Sequence, residues 1–146
     1  MATLGKILSN KILLTSIAGW SVAQILKVLF VYASCKKIDF TRLVGSGGMP
    51  SSHSAFVVAL TVSVGKVCGF DSSDFAISAV ISFVVMYDAA GVRRAAGKQA
   101  RVLNTIINDK LLAGKFPEEE LKELLGHTPI EVIAGAFVGL FTAVLL

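Results

Sequence analysis

Four continuous apolar blocks, separated by polar segments, dominate the pattern of this chain. They cover residues 12–34, 54–70, 75–92 and 129–146. At a helical rise of about 1.5 Å per residue, the first block can cross roughly 30 Å of hydrocarbon, and the other three lie near the lower limit for crossing. Barrel strands would instead alternate in character over segments of about ten residues. The pattern therefore predicts four transmembrane helices.

The segment between the third and fourth blocks has a different pattern. Over residues 95–125, apolar side chains recur at helical spacing among charged and amide side chains, and the recurring residues are Val102, Leu103, Ile106, Ile107 and Leu111. This pattern is typical of a helix lying on the membrane surface. We therefore expect an all-α fold, a polytopic membrane helix bundle of about four transmembrane helices plus an interfacial amphipathic helix, built as a single domain over residues 1–146.

Composition supports a membrane protein. Hydrophobic residues make up 54% of the chain and charged residues 16%, and the mean hydropathy is +0.73. A soluble domain typically carries about 25% charged residues. A chain with so few charges cannot cover a soluble fold with polar surface.

Positive charges are divided unequally between the two sides that four crossings create. One side carries Lys6, Lys11 and Lys66. The other side carries Lys36, Lys37, Arg42, Arg93, Arg94, Lys98, Arg101, Lys110, Lys115 and Lys122. By the positive-inside rule, this count predicts that the loops at 36–52 and 95–126 are cytoplasmic and that both chain ends lie outside. The alternative is that some of these cations serve phosphate binding and not topology. Because topology accounts for the net charge of +4, that charge does not indicate a nucleic-acid partner.

The N-terminal region also admits a signal-peptide interpretation. Lys6 and Lys11 precede an apolar stretch, and Ser21-Val22-Ala23 resembles a signal-peptidase site. The apolar run continues to Ala33, which favours an uncleaved first helix. Cys35 and Cys68 end two helices of opposite direction, so we expect them on opposite faces and too far apart to bridge.

A glycine-rich motif, Gly45-Ser-Gly-Gly-Met-Pro-Ser-Ser-His-Ser54, precedes the second block. Glycines such as Gly47 and Gly48 let a backbone approach a ligand closely, and a proline suits the first helical position. The motif then predicts a helix whose first free amides, at residues 51–53, bind an anion. The alternative is a Gly-rich hairpin with His53 as an interfacial residue.

A second motif, Gly126-His-Thr-Pro-Ile-Glu131, opens the fourth block. Thr128 and Glu131 have the spacing of a capping box, which by itself would explain both residues. In the functional interpretation, Glu131 orients the His127 imidazole. The two histidines of the chain both stand at predicted helix starts on the same face, and this coincidence favours function.

A third motif, Tyr87-Asp-Ala-Ala-Gly-Val-Arg-Arg94, ends the third block. Placing an acidic group within a membrane segment costs free energy, so such a residue is by default a candidate for a functional site. We expect Lys27, in the first block, to be the partner of Asp88, either in a site or in a buried structural pair. Arg93 and Arg94 are candidate phosphate ligands, since guanidinium groups match phosphate oxygens, or positive-inside anchors.

These motifs resemble a known family. Pro50-Ser-Ser-His53 resembles the PSGH motif of the type 2 phosphatidic acid phosphatase and vanadium-dependent haloperoxidase superfamily, and His127-x-x-x-Glu131 resembles the HxxxD end of its third motif. Together, GGMPSSHSA, YDAAGVRR and LGHTPIEV look like the divergent type 2 phosphatidic acid phosphatase family over nearly the whole chain.

The resemblance implies roles for individual residues. His127 would attack phosphorus, Glu131 would orient it and His53 would protonate the leaving oxygen. Gly47, Gly48, Ser51 and Ser52 with their amides would bind the phosphate, together with cations among Lys27, Arg42, Arg93 and Arg94. The resemblance implies no cofactor and no metal.

The sequence also departs from the superfamily pattern. Ser52 stands where the family has glycine and Glu131 where it has aspartate. The Ser-Arg pair expected shortly before the nucleophile is missing, with Glu120 and Leu121 at those positions. Arg93 or Arg94 could supply that charge only if residues 95–126 are an insertion. The first motif is absent, and Lys27, Lys36, Lys37 and Arg42 are candidate substitutes at other spacings.

Together these features favour a metal-independent phosphatase of a membrane lipid phosphate or diphosphate, acting through a phosphohistidine. The alternatives are a non-catalytic binder or transporter of phospholipid or polyprenyl phosphate, and a structural membrane partner. The expected partners are the lipid bilayer and the lipid phosphate, in the plasma membrane. Gly135-x-x-x-Gly139 offers a close-packing face for a homodimer or for packing within the chain.

Overall fold

The computed structural model describes residues 2–36, 48–107 and 126–146. Within those ranges the chain is helical and has no strand. The helices are α1 (Ala2–Leu8), α2 (Lys11–Cys35), α3 (Ser52–Cys68), α4 (Ser73–Ala90), α5 (Val92–Ile107) and α6 (Pro129–Leu145). The predicted all-α class is confirmed.

The four apolar blocks correspond to α2, α3, α4 and α6. Two helical stretches, Lys11–Ala33 and Ser73–Ile106, are by themselves long and apolar enough to cross a bilayer, whereas α3 and α6 are apolar but shorter. The amphipathic segment begins earlier than expected, because α5 follows α4 directly after Gly91. In α5, Val102, Leu103 and Ile106 are exposed, as an interfacial helix requires.

The distribution of side chains is the reverse of that in a soluble protein. Small residues fill the interior, including Ala23, Ala55 and Ala59, each with no exposed surface. Large apolar residues face outward, and 69% of the Phe83 side chain is exposed. Small residues let membrane helices approach closely, while lipid covers the large apolar surface. This arrangement supports the bilayer as the environment of the bundle.

Helix α3 is the centre of the bundle and packs against α2, α4 and α6. Helix α6 approaches it most closely at Gly135 and Gly139, where an added Cβ would collide with backbone atoms of Ser51 and Ala55. On the other side, a Cβ on Gly19 of α2 would meet the Cβ of Ala59 at 2.9 Å. The close-packing face predicted at Gly135 and Gly139 is therefore used within the chain.

Polar contacts between helices fix their directions. Lys27, about two-thirds of the way along α2, donates to Ser52 at the start of α3 (3.1 Å). Thr61 of α3 donates to the Ser78 carbonyl of α4 (3.0 Å), and Ser82, one turn later in α4, donates to the Val57 carbonyl, one turn earlier in α3 (2.7 Å). The start of α6 lies beside the start of α3, because the Ser51 amide donates to the Glu131 carbonyl (2.9 Å). Helices α2 and α4 therefore run antiparallel to α3, and α6 runs parallel to it. Both histidine motifs lie at the same end of the bundle.

We expect Gly139→Ala to destabilise the bundle by about 1–3 kcal/mol, the usual cost of overpacking, since the new methyl group must push α6 away from the Ala55 backbone. Gly5→Ala is the matched control, because a Cβ there meets no atom within 4 Å and alanine is the better helix former. Thermal unfolding in detergent measures both variants. Equal unfolding temperatures would contradict this packing.

Candidate active site at one end of the bundle

The start of α3 differs in one respect from the sequence-based expectation. Pro50 was expected at the first helical position, but the helix begins at Ser52 and Ser51 is its N-cap, with its hydroxyl accepting from the Ser54 amide (3.3 Å). The expected free amide of Ser51 is also used, because it donates to the Glu131 carbonyl. Ser52 and His53 now hold the first two helical positions, whose amides have no acceptor within the helix.

The start of α6 contains both functions predicted for Glu131. The capping box is formed, with the Thr128 hydroxyl accepting from the Glu131 amide (3.4 Å) and Glu131 Oε2 accepting from the Thr128 amide (2.9 Å). The same Oε2 lies 3.2 Å from His127 Nδ1. One carboxylate therefore caps the helix and orients the imidazole, so the two interpretations do not exclude each other.

His127 is held rigidly at this end of the bundle. Its amide donates to the carbonyl of Ala89 at the end of α4 (2.9 Å), and only 1% of its side chain is exposed. Burial lowers the pKa of His127 below its usual range, against the opposing hydrogen bond and charge of Glu131. The ring is therefore neutral near pH 7.

The neutral His127 ring has a defined tautomer. A carboxylate only accepts hydrogen bonds, so the contact with Glu131 places the ring proton on Nδ1 and the lone pair on Nε2. Nε2 is buried and has no hydrogen-bond partner among the described residues. A buried polar atom without a partner is costly and calls for an explanation. An unprotonated, oriented nitrogen is what a nucleophile requires.

The two histidines lie in one cluster. The ring centroids of His53 and His127 are 6.1 Å apart, with the planes inclined by 62°. Lys27 adds a cation that is 1% exposed, and its Nζ donates to Ser52 Oγ. Lys27 and Arg93 are both close enough to act electrostatically on both imidazoles. These four side chains come from α2, α3, α5 and the loop before α6. Helix capping alone does not explain why they lie together.

The expected pair of Asp88 and Lys27 is wrong. Asp88 Oδ2 instead accepts from Arg93 Nε at 2.7 Å, across the helix break at Gly91. Gly91 alone separates the two helices, so the Arg93 side chain reaches Asp88 five residues earlier. The two side chains are 39% and 50% exposed, so Asp88 lies at the rim of the bundle and not in its interior.

Gly126 connects Arg93 and Arg94 with His127. It has φ of +85°, and an added Cβ would collide with the backbone of Arg93 and Arg94. The chain therefore leaves the site after Arg94 and returns to the same place at residue 126. This closeness is what the insertion hypothesis for residues 95–126 requires, and the insertion itself stays a prediction.

The remaining predicted site residues have different outcomes. Gly48 has φ of +93°, and an added Cβ would meet no atom within 4 Å. Glycine therefore suits this position because of the positive φ and not because space is short. Arg94 is exposed, and its backbone is the part that packs against Gly126. Gly47, Arg42 and Lys37 lie outside the described residues.

Comparison with known proteins agrees with the motifs. A family model described as "Divergent PAP2 family" matches residues 8–142. The chain belongs to the divergent PAP2 family. It is also 41% identical to a Bacillus subtilis (strain 168) protein named "Uncharacterized membrane protein YuiD", over 97% of this chain and 96% of that protein. No solved structure matches significantly.

Three features of this divergent PAP2 protein were missed by reasoning from its sequence. They are the Asp88–Arg93 pair, the backbone bond from His127 to Ala89, and the contact between Gly126 and the arginines. The spacing of Asp88 and Arg93 does not suggest a helical pair, because it is five residues and not four. A glycine just before His127 was the one available signal for the close approach.

We expect Asp88 to be energetically coupled to Arg93 and not to Lys27. A double-mutant cycle of Asp88→Asn with Arg93→Gln, followed by unfolding in detergent, should give a coupling of about 0.2–1 kcal/mol, the range of exposed ion pairs. The same cycle with Lys27→Met is the control and should be additive. Coupling to Lys27 alone would contradict the observed pairing.

Proposed function

We propose that this membrane protein is a phosphatase of a lipid phosphate or diphosphate, with His127 as the nucleophile. The observation that supports this most is that His127 Nε2 is buried and without a partner among the described residues. With the ring proton on Nδ1, facing Glu131, this nitrogen carries the lone pair. The Glu131 carboxylate orients the opposite nitrogen. Membership of the divergent PAP2 family points to the same chemistry.

In the first step, His127 Nε2 attacks phosphorus as the bond from phosphorus to the leaving oxygen breaks. Protonated His53 gives its proton to that oxygen, and a phosphohistidine forms. The positive charge that the His127 ring gains is stabilised by Glu131 at Nδ1. In the second step, His53 takes a proton from water as the water oxygen attacks phosphorus. The bond to Nε2 then breaks, which releases phosphate and restores both histidines.

Phosphate binding is assigned to groups that converge on the two rings. The amides of Ser52 and His53 stand at the N-terminus of α3, where the helix dipole favours an anion. Lys27 brings a buried cation beside Ser52. Arg93 supplies the charge that the missing Ser-Arg pair would otherwise provide, and Asp88 fixes its guanidinium through Nε. Its terminal amino groups then serve as the phosphate fork.

A lipid substrate fits the position of the cluster at one end of an apolar bundle. There, a phosphate head group can reach the cations while the chains remain in hydrocarbon. On the charge distribution, we assign this end of the bundle to the cytoplasmic side of the plasma membrane. A non-catalytic binder or transporter would use the same cations and amides, and it differs only in leaving the phosphate ester intact.

Two histidine variants test the assignment through their unequal roles. His127→Ala should abolish hydrolysis of every substrate, because it removes the nucleophile. His53→Ala should slow hydrolysis of phosphatidate by about 10²–10⁴-fold, the usual contribution of a general acid. It should spare more activity on an aryl phosphate, whose leaving group needs less protonation. Turnover is measured in lipid micelles with chelator present.

Glu131→Gln is the matched control for folding. Glutamine retains the capping box but not the charge that supports the His127 ring. We expect a folded protein with slow turnover, whereas a purely structural cap predicts normal turnover. If the wild-type protein binds phosphatidate or a polyprenyl diphosphate but hydrolyses neither, the binder or transporter replaces the phosphatase.

A further inference from the structure

An open groove of about 580 Å³ runs over α3 between α2 and α4. Its apolar lining consists of Ile17 and Trp20 from α2, Phe56 and Val57 from α3, and Val85 from α4. Two polar residues also line it, His53 and Arg93. These are the two members of the histidine cluster that are not fully buried. The groove is therefore continuous with the candidate active site.

The polar and apolar parts of the groove are separated along the bundle axis. His53 lies in the first turn of α3 and Arg93 at the start of α5, both at the active-site end. Phe56 and Val57 follow His53 by about one helical turn. Trp20 and Ile17 lie two to three turns before Lys27 along α2, and Lys27 is level with Ser52 at the start of α3. The groove is therefore polar at the active-site end of the bundle and apolar away from that end.

A second apolar groove provides a comparison within the same molecule. It measures about 450 Å³ and lies over α3 on the opposite side of α4, with Val58, Phe83, Ile133 and Phe137 in its lining. Among the residues that the structure describes, no charged residue and no histidine lines it. Bulk lipid would fill either groove. Only the first groove can hold a molecule that is anionic at one end and apolar along the rest.

We propose that the groove between α2 and α4 is the binding site for the hydrocarbon chain of the lipid phosphate. This inference rests on the proposed function for the identity of the head group. The phosphate lies against His53 and Arg93, and the chain extends along Phe56 and Val57 between Ile17, Trp20 and Val85. Because the groove is open to the bilayer between α2 and α4, the substrate enters laterally from lipid.

Filling the groove tests the proposal by turnover. Val85→Trp should raise the KM for a long-chain lipid phosphate by about tenfold, equivalent to losing the burial of roughly two methylene groups, and should raise the KM for a chain-free aryl phosphate far less. Ile17→Trp is a second filling variant should Val85→Trp not fold. Ile133→Trp, in the second groove, is the matched control and should change neither substrate. Equal effects of Val85→Trp and Ile133→Trp would overturn the proposal.

A binding measurement separates this inference from catalysis. His127→Ala protein in phosphatidylcholine vesicles is photolysed with a phosphatidate whose chain carries a diazirine, and the labelled peptides are identified by mass spectrometry. Labelling should fall on Trp20, Phe56 and Val85. Unlabelled phosphatidate should suppress it, and uncharged diacylglycerol should not.

The outcomes of this measurement are distinct. Groove labelling without turnover by the wild-type protein would support the binding site and refute the phosphatase. Turnover with labelling of Phe83 and Phe137, or with labelling that diacylglycerol suppresses equally, would refute the groove and leave the phosphatase intact.

Discussion

The close approach of α6 to α3 is the constraint on which the rest of the structure depends. Gly135 and Gly139 bring the α6 backbone against Ser51 and Ala55, where no larger residue fits without displacement. The contact sets the two helix starts side by side and parallel, and the bond from the Ser51 amide to the Glu131 carbonyl fixes their register. As a result, the His53 ring, just after the N-cap of α3, and the His127 ring, just before the N-cap of α6, lie in one site.

The surroundings of that contact determine the chemistry of each ring. His127 is enclosed because its amide is bound to the end of α4 and Gly126 lies on the backbone at Arg93 and Arg94. His53 remains half exposed and faces the groove that opens to lipid. This asymmetry fits unequal roles, an enclosed nucleophile of fixed tautomer and an accessible acid at the substrate's leaving group. The cations Lys27 and Arg93 reach the same place from α2 and α5, elements that are distant along the chain.

Sequence reasoning predicted those parts of the structure that local patterns determine. Apolar blocks predicted the helices, and the Thr128 and Glu131 spacing predicted a capping box that is present. The predicted start of α3 at Pro50 was two residues too early, because the N-cap serine at position 51 determines where the helix begins. The partner of Asp88 was assigned incorrectly. The assignment assumed that Asp88 is buried in the membrane segment and needs a buried cation. In the structure α4 ends two residues after Asp88, and the carboxylate pairs with Arg93 at the start of α5. A pair that forms across a helix break depends on the backbone geometry at that break, which the pattern of residue types does not specify.

The most direct test of the account is whether a phosphoryl group is found on His127 during turnover. The purified protein is mixed with phosphatidate and quenched within the first turnovers in alkali, which preserves a phosphorus–nitrogen bond, and its peptides are analysed by mass spectrometry. The account predicts phosphorylation of the peptide at His127 Nε2, and none in Glu131→Gln at the same early time. Steady hydrolysis of phosphatidate without any phosphohistidine, or with the phosphoryl group on His53, would contradict it.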